Sequence, residues 1–363
     1  MHSNSKSNTP GLRSRLLRWL GLTDELVIKL YHGYGHSAHL VIHGHVLTLS
    51  PLPRKKYRKS ILNNAFALLR LFMVKPLSKK KLRTEWQGRT LETECDKDGF
   101  FKFEWQDEPP LEQGWHTLNV QLLNDSGHVI KEAKGELYIP YTTQYGFISD
   151  VDDTFLVSHS ANLRKRLLVL FTQNARSRKP FDGSVKHYQL LMQGNTTPDA
   201  PNPFFYVSSS EWNLYDYLQE FRRVHDLPQG VFLLNVLKRF HQLLKTGQNN
   251  HKTKFTRIVR IIEGFPKQRF VLLGDSSQHD PYIYEAVVKH FPKQIHAVYI
   301  RDVYEKNKEK VKDVLINIEA AGVPCCFFSH SSEAILHSKK IGLISEAQVI
   351  AETELKEKPK VSA

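Results

Sequence analysis

The residues with the clearest chemical potential are acids that crowd together just after a short apolar run. The segment reads Ser149-Asp150-Val151-Asp152-Asp153-Thr154, and Gly146-Phe147-Ile148 precedes it. Carboxylates packed at the tip of a strand repel one another, and a bound divalent cation is the usual way to offset that repulsion. Because Asp is also common in turns, a polar turn is the alternative for this motif alone.

Two later apolar runs also end in polar residues. Phe204–Val207 leads into Ser208, and Phe270–Leu273 leads into Gly274-Asp275-Ser276-Ser277-Gln278-His279-Asp280. His251 and Lys252 lie between these two runs. In a doubly wound sheet, ligands bind at the carboxyl ends of the strands, so these polar ends predict a shared site.

The elements that must position these residues begin after Pro140, where apolar strand-length runs alternate with helix-length amphipathic segments. Such alternation predicts an α/β domain over residues 144–350, with a parallel sheet covered on both faces. Its strands are predicted at Gly146–Ile148, Phe204–Val207, Val231–Leu234, Phe270–Leu273, His296–Ile300 and Pro324–Phe328.

The first part of the chain has a different pattern. Short strand-like runs separated by turn residues predict a small β-sandwich domain over residues 25–143, interrupted by a helix at Ile61–Val74. Residues 1–24 are expected to form a flexible basic segment with a short amphipathic helix. Residues 351–363 are charge-rich, and we expect a disordered tail.

Composition limits the cellular context. The net charge of +14 predicts attraction to anionic partners, or simply a solvated basic surface. Cys95, Cys325 and Cys326 provide no disulfide framework, which fits a reducing cytosol. Arginines interrupt the first apolar positions, so no secretory signal is expected. We predict a cytoplasmic protein, peripheral on a membrane as the alternative, and no nucleic-acid partner, because no such binding motif is present.

The order of the motifs resembles the signature of haloacid-dehalogenase phosphatases: D-x-D-x-T, an apolar strand ending in Ser, a Lys, and G-D-x-x-x-x-D. The segments Phe204–Leu218 and Gly274–Tyr284 resemble the phosphatidate phosphatase catalytic domain of fungal actin-patch proteins and its bacterial relatives. The similarity covers about Gln144 to Ser345, and Ser277 departs from it where the family usually has Gly. It implies a Rossmann-like haloacid-dehalogenase domain with a helical cap inserted between Thr154 and Phe204.

The resemblance also implies roles for the site residues. Asp150 would be the covalent nucleophile, and Asp152 would protonate the leaving oxygen and later activate water. Ser208 and Lys252 would bind the phosphoryl oxygens. Asp150, the backbone carbonyl of Asp152, and Asp275 would hold Mg²⁺.

Three further residues are predicted to support the site. Asp280 would orient Lys252 or a metal-bound water, Thr154 would be a structural hydroxyl, and Ser276, next to Asp275, is the third supporting residue. His251 and His279 flank these residues, and we interpret both as bystanders.

Three functions fit this sequence. The leading hypothesis is a Mg²⁺-dependent phosphatase for a phosphate ester, with phosphatidate at an anionic membrane surface as the substrate. A phosphatase for soluble phosphometabolites is the second. The third is a basic membrane-binding module with secondary catalysis, in which the β domain and the basic surface carry the main function.

Overall fold

The computed structural model describes residues 12–36, 38–52, 61–107, 111–151, 175–176, 178–238 and 250–350. The first part of the chain forms two helices, α1 (Leu12–Trp19) and α2 (Ile61–Leu71), together with short strands. The strands are β1 (Leu22–Thr23), β2 (Val27–Leu30), β3 (Gly33–His36), β4 (His39–Pro51), β5 (Lys75–Pro76), β6 (Lys81–Trp86), β7 (Arg89–Glu94), β8 (Phe100–Trp105), β9 (Gly114–Leu123) and β10 (Val129–Ile139).

The ten strands are hydrogen-bonded into one connected sheet. Its main path runs β1-β4-β3-β10-β9-β6-β7, and β2, β5 and β8 each pair with β4. The long strand β4 is the hub, because its thirteen residues are enough to pair with several short strands. Alternate side chains of β6 and β8 are buried, the period of a strand with one face on a core.

The second part of the chain alternates strands with helices. The strands are β11 (Tyr145–Ser149), β12 (Phe204–Glu211), β13 (Gly230–Asn235), β14 (Arg269–Asp275), β15 (Ile295–Arg301) and β16 (Cys325–Phe328). The helices are α3 (Ser184–Gln193), α4 (Tyr215–Val224), α5 (Asn250–Gly264), α6 (Asp280–His290), α7 (Lys308–Ala320) and α8 (Ser331–Lys340).

These six strands form a parallel sheet in the order β13-β12-β11-β14-β15-β16. Numbered from β11, the order is 3-2-1-4-5-6, which is that of a doubly wound sheet. The strand order reverses between β11 and β14. The carboxyl ends of these two strands therefore form the switch point, where such sheets bind ligands.

Successive residues of each strand enter different cores, as strand geometry requires. Phe147 and Tyr206 pack with α3, α4 and α8 on one face of the sheet, whereas Ile148 and Phe205 pack with α5, α6 and α7 on the other. The predicted α/β sheet and the β-rich region before it are therefore confirmed.

The two parts of the chain share buried contacts. The Tyr31 ring stacks on Trp212 with the ring centroids 4.0 Å apart, and its hydroxyl is 2.9 Å from Nδ1 of His45. Tyr34 meets Phe205 edge-on, with the centroids 5.6 Å apart. The first part therefore contributes side chains to both cores of the parallel sheet.

Several predictions fall partly or wholly outside the described residues. These are residues 1–11, the charge-rich tail 351–363, and residues 152–174 of the predicted helical cap. No helix in the described ranges combines the length and the apolar character needed to cross a bilayer.

A buried histidine joins three elements of the second part. Nε2 of His187 on α3 lies 2.8 Å from Oγ of Ser338 on α8, which lies 2.8 Å from the hydroxyl of Tyr299 on β15. Burial lowers the pKa of His187 to about 3, and the nearby charges of Arg301 and His337 act in the same direction.

This histidine predicts acid sensitivity. Between about pH 3 and the ordinary histidine value of 6.5, the unfolded chain binds a proton at His187 that the folded chain does not. The free energy of unfolding therefore falls as the pH falls through this window. In His187→Gln, we expect this slope to be shallower by about 1.4 kcal/mol per pH unit, measured by urea denaturation from pH 7 to 4.

The exposed His128 provides the control, because His128→Gln should leave the slope as it is in the wild type. An unchanged slope in His187→Gln would show that burial does not keep this imidazole neutral.

Candidate active site

Asp150 lies immediately after β11, at the switch point of the parallel sheet. Its backbone N–H donates to the Leu273 carbonyl at 2.8 Å, which continues the pairing of β11 with β14 by one residue. Oγ of Ser149 lies 2.6 Å from the Asp150 carbonyl oxygen and 2.8 Å from the hydroxyl of Tyr188. The backbone that carries the Asp150 carboxylate is therefore fixed from two sides.

Asp275 and Asp280 approach Asp150 from the neighbouring strand and the helix that follows it. Asp275 is the last residue of β14, and its Oδ1 accepts the Ser277 N–H at 2.5 Å. Asp280 begins α6, and it reaches the site because Gly274 has no side chain. A Cβ at Gly274 would lie 2.8 Å from Asp280 Oδ2.

A buried lysine joins two of these acids. Nζ of Lys254, on α5, donates to Oδ1 of Asp150 at 2.6 Å and to Oδ1 of Asp280. All three side chains are at most 2% exposed, so water screens this cluster poorly. Burial lowers the pKa of Lys254, but the two carboxylates raise it more, and the net pKa lies above its ordinary value.

The cluster has more negative than positive charge when ionised. Asp150, Asp275 and Asp280 contribute three negative charges and Lys254 one positive charge. The negative charge of this cluster affects the pKa of the Tyr284 hydroxyl on α6. Burial raises its pKa, and the Asp280 and Asp150 carboxylates raise it further.

The three aspartates fit a divalent cation. Each offers a carboxylate oxygen, and these oxygens lie within 4.8 Å of one another. Oδ2 of Asp280 is buried and makes no hydrogen bond to the described residues. Carboxylate oxygens are the ligands that Mg²⁺ and Ca²⁺ prefer, and a divalent charge would balance the excess of two negative charges.

Ser208 lies on the same edge, on the neighbouring strand β12. Its Oγ accepts the Ser210 N–H at 2.9 Å, and its carbonyl accepts a 2.8 Å hydrogen bond from Nη1 of Arg257. Arg257 also donates to the Leu233 carbonyl at 3.1 Å. It therefore fastens the ends of β12 and β13 to α5, the helix that carries Lys254.

Ser276 supports the loop beyond β15. Its Oγ accepts the backbone N–H groups of Val303 and Tyr304 at 3.0 and 3.1 Å, and its carbonyl accepts from Nδ2 of Asn307 at 2.8 Å. These contacts connect the Asp275 loop to the residues after the next strand.

The lysine in the cluster differs from the one that the sequence analysis named. Lys254 contacts Asp150 and Asp280, whereas Lys252 lies two residues earlier on α5 and its side chain is outside the described residues. Helix periodicity could have identified Lys254, because it shares the buried face of α5 with Ile258 and Ile261, at spacings of four and seven. Residues two apart lie on nearly opposite sides of a helix.

The structure brings together Asp150, Asp275 and Asp280 from the predicted set, and it places Ser208 at the same edge of the sheet. Asp152 and Thr154 lie outside the described residues. Arg257, like Lys254, was missed by sequence analysis, because its partners are backbone carbonyls and no side-chain motif marks them.

The fold and the site together define an α/β protein with a doubly wound sheet. A buried cluster of three aspartates and one lysine lies at the switch point of that sheet. Residues 145–302 match the family model described as "Phosphatidate phosphatase APP1, catalytic domain". This part of the chain is therefore similar to that catalytic domain.

Two curated fungal relatives match a similar portion of the chain. Phosphatidate phosphatase APP1 of Saccharomyces cerevisiae is 32% identical over 166 residues, which is 44% of this chain and 27% of that protein. An uncharacterized protein of Schizosaccharomyces pombe is 23% identical over 177 residues, covering 48% of this chain and 28% of that protein. The matched region therefore spans little more than a quarter of either relative.

Among solved structures, a carbohydrate acetylesterase from Xanthomonas citri aligns with 88% of this chain and 75% of its own. The identity is 9% and the TM-score is 0.29, so this likeness carries no argument about fold or function.

The ion cluster predicts different outcomes for two neighbouring lysines. Lys254→Met leaves Asp150 and Asp280 buried without their shared cation, and breaking such a buried pair costs about 3–5 kcal/mol. We expect a loss of this size in the free energy of unfolding, measured by urea denaturation.

Lys252→Met is the matched control, because it leaves the contacts of Lys254 with Asp150 and Asp280 in place. We expect its free energy of unfolding to stay within about 0.5 kcal/mol of the wild type. Equal losses in the two variants would contradict the assignment of the buried cation to Lys254.

The close approach at Gly274 predicts a second effect. In Gly274→Ala the new Cβ meets Asp280 Oδ2 and Cε2 of Tyr284 at 2.8 Å, so α6 must shift. Overpacking of this kind costs about 1–3 kcal/mol, measurable by the same denaturation experiment.

Gly264→Ala serves for comparison, since its nearest new neighbour would be His36 at an ordinary 3.7 Å. If Gly264→Ala were as destabilising as Gly274→Ala, crowding beside Asp280 would not explain the loss.

Proposed function

We propose that this chain is a Mg²⁺-dependent phosphatase that acts on phosphatidate through an aspartyl-phosphate intermediate. The observation that carries the proposal is the buried cluster of Asp150, Asp275, Asp280 and Lys254 at the switch point of the sheet. It offers a nucleophilic carboxylate, oxygen ligands for a cation, and a fixed positive charge within one small volume.

The finer fold assignment belongs to this proposal. A haloacid-dehalogenase fold of the Rossmann-like type is supported by the observed strand order and by the acids that follow β11 and β14. The motif order D-x-D-x-T, Ser, Lys and G-D-x-x-x-x-D is kept, with Lys254 in the position of the lysine.

The reaction would proceed in two displacements. A carboxylate oxygen of Asp150 attacks phosphorus and forms a new P–O bond, while the bond from phosphorus to the lipid oxygen breaks. Asp152 gives its proton to that departing oxygen, and a diacylglycerol leaves. Water then attacks the phosphorus of the aspartyl phosphate, Asp152 accepts the proton, and inorganic phosphate leaves with Asp150 regenerated.

The protein groups around Asp150 would prepare these steps. Lys254 lies 2.6 Å from the nucleophilic carboxylate, so it keeps Asp150 ionised and aimed at the edge of the sheet. Lys254 and Ser208 would also stabilise negative charge on the phosphoryl oxygens. Asp150 and Asp275 would hold Mg²⁺ with Asp280 close by, and the ion would supply charge neutralisation to the phosphoryl group.

The lipid substrate is supported by the match of residues 145–302 to the phosphatidate phosphatase model and by their similarity to the yeast phosphatidate phosphatase. The net charge of +14 agrees with an anionic substrate, and it also agrees with peripheral attachment to an anionic membrane in the cytoplasm. The phosphoryl group of a soluble phosphate ester would contact the same side chains as that of phosphatidate. An activity assay is therefore needed to distinguish the two kinds of substrate.

The test is phosphate release from dispersed phosphatidate and from a panel of soluble phosphomonoesters, each with Mg²⁺ and with chelator. We expect release from phosphatidate that requires Mg²⁺. In Asp150→Asn the nucleophile is lost, and we expect release to fall at least about a thousandfold.

Asp313→Asn, an exposed acid on α7, is the matched control and should keep full activity. Faster phosphate release from a soluble ester than from phosphatidate would show that the soluble ester is the preferred substrate. Activity retained in Asp150→Asn, or in chelator, would contradict the mechanism.

A further inference from the structure

Helices α1 and α2 carry large apolar side chains that are open to solvent. Leu16 is 57% exposed, Trp19 80%, Leu62 81% and Phe66 43%. Among the described residues, these two short helices hold four of the eleven exposed large hydrophobic side chains. Clustered exposure of this kind marks a binding surface, whereas scattered single residues need no explanation.

The exposed apolar side chains of α1 lie away from the side of the helix that faces the rest of the protein. Ser14 and Arg18 line a cavity of about 340 Å³ between the helix and the rest of the protein. At about 100° per residue, Leu16 lies nearly opposite both of these residues, and Trp19 lies more than a quarter turn from each. Arg15 lies beside them and is also exposed.

Helix α2 has the same arrangement. Asn64 and Leu68, four residues apart, are buried against the protein. Leu62 and Phe66, also four residues apart, lie on the opposite side of the helix and are exposed. In both helices the outer apolar residues face away from the rest of the protein, so contacts within the protein do not account for them.

The two helices are neighbours. Gly21, just after α1, lies so close to Arg70 of α2 that a Cβ there would be 1.9 Å from its Nη1. The same cavity is lined by Ser14 and Arg18 of α1 and by Leu71 of α2. We call Leu16, Trp19, Leu62 and Phe66, together with Arg15, the docking face.

The charge of this region favours one kind of partner. The sequences of α1 and α2 contain arginines and no acidic residue. Apolar side chains beside basic ones are how interfacial helices bind anionic bilayers, with tryptophan at the headgroup level. A second copy of this chain would bring the same arginines together and would repel.

The docking face is connected to the edge of the sheet that carries the site. Nδ2 of Asn213 donates to the carbonyl of Leu71, the last residue of α2, and to the Lys238 carbonyl, both at 2.9 Å. Asn213 follows β12, the strand of Ser208. One amide group therefore ties α2 to the chain that leaves the candidate active site.

We propose that the docking face binds the surface of an anionic phospholipid bilayer and holds the carboxyl edge of the parallel sheet close to that surface. The choice of a bilayer as partner rests on the proposed lipid phosphatase function. The geometry of the two helices is independent of it.

The experiment is sedimentation of the full chain with two kinds of vesicle, phosphatidylcholine alone and phosphatidylcholine mixed with phosphatidylglycerol. Phosphatidylglycerol is anionic but is not a phosphomonoester, so capture by the active site does not contribute. We expect binding to the mixed vesicles that weakens with added salt. In Trp19→Ser/Leu62→Ser the binding constant should fall about tenfold or more.

The matched control is Ile316→Ser/Leu336→Ser, which removes two apolar residues of α7 and α8 that are 62% and 66% exposed. It should bind like the wild type. The emission of Trp19 gives a second readout, because the other four tryptophans are less exposed. In the wild type, mixed vesicles should shift this emission to shorter wavelength.

Equal binding by the two double variants would overturn the proposal, as would equal binding to both kinds of vesicle. A dimer that is lost in Trp19→Ser/Leu62→Ser would identify the face as a contact between copies of the chain. Hydrolysis of a soluble phosphomonoester should be the same in both variants. If no ester is hydrolysed but vesicle binding depends on the face, the docking proposal stands and the proposed function falls.

Discussion

The contact of Lys254 with two aspartates is the interaction on which the rest of the site depends. Nζ of Lys254 is shared by Asp150, at the end of β11, and Asp280, at the start of α6. Three separate elements thus meet at one ammonium group. Without this charge, two buried carboxylates would face each other across the switch point and repel.

This arrangement sets the demands on the surrounding structure. Ile258 and Ile261 bury the face of α5 that carries Lys254, which keeps the ammonium group out of water. Gly274 leaves the space that Asp280 occupies. Arg257 binds the same helix to the ends of β12 and β13, so the lysine and the serine strand keep one relative position. The fold therefore holds its elements most firmly around these buried charges, where the cost of desolvation is greatest.

Much of the parallel sheet was predictable, because strands buried on both faces have continuous apolar sequences, such as Phe270–Leu273. The meeting of Asp150 with Asp275 was predictable for the same reason, since the carboxyl ends of parallel strands share an edge. Lys254 was missed because motif order does not distinguish two lysines on one helix, whereas the buried face of that helix does. The pairing of β4 with five other strands was not predictable, because short strands have many possible partners of similar energy.

The aromatic stack of Tyr31 on Trp212 makes the two halves of the chain depend on each other. The family match begins at residue 145, yet Tyr31, Leu68 and Phe72 belong to the same core as Phe147 and Tyr206. Tyr34 and Tyr138 belong to the core on the other face of the sheet. A gene segment that encoded only the matched residues would leave both cores open at one side. Residues in either half that line these shared cores can therefore change only together with their neighbours in the other half.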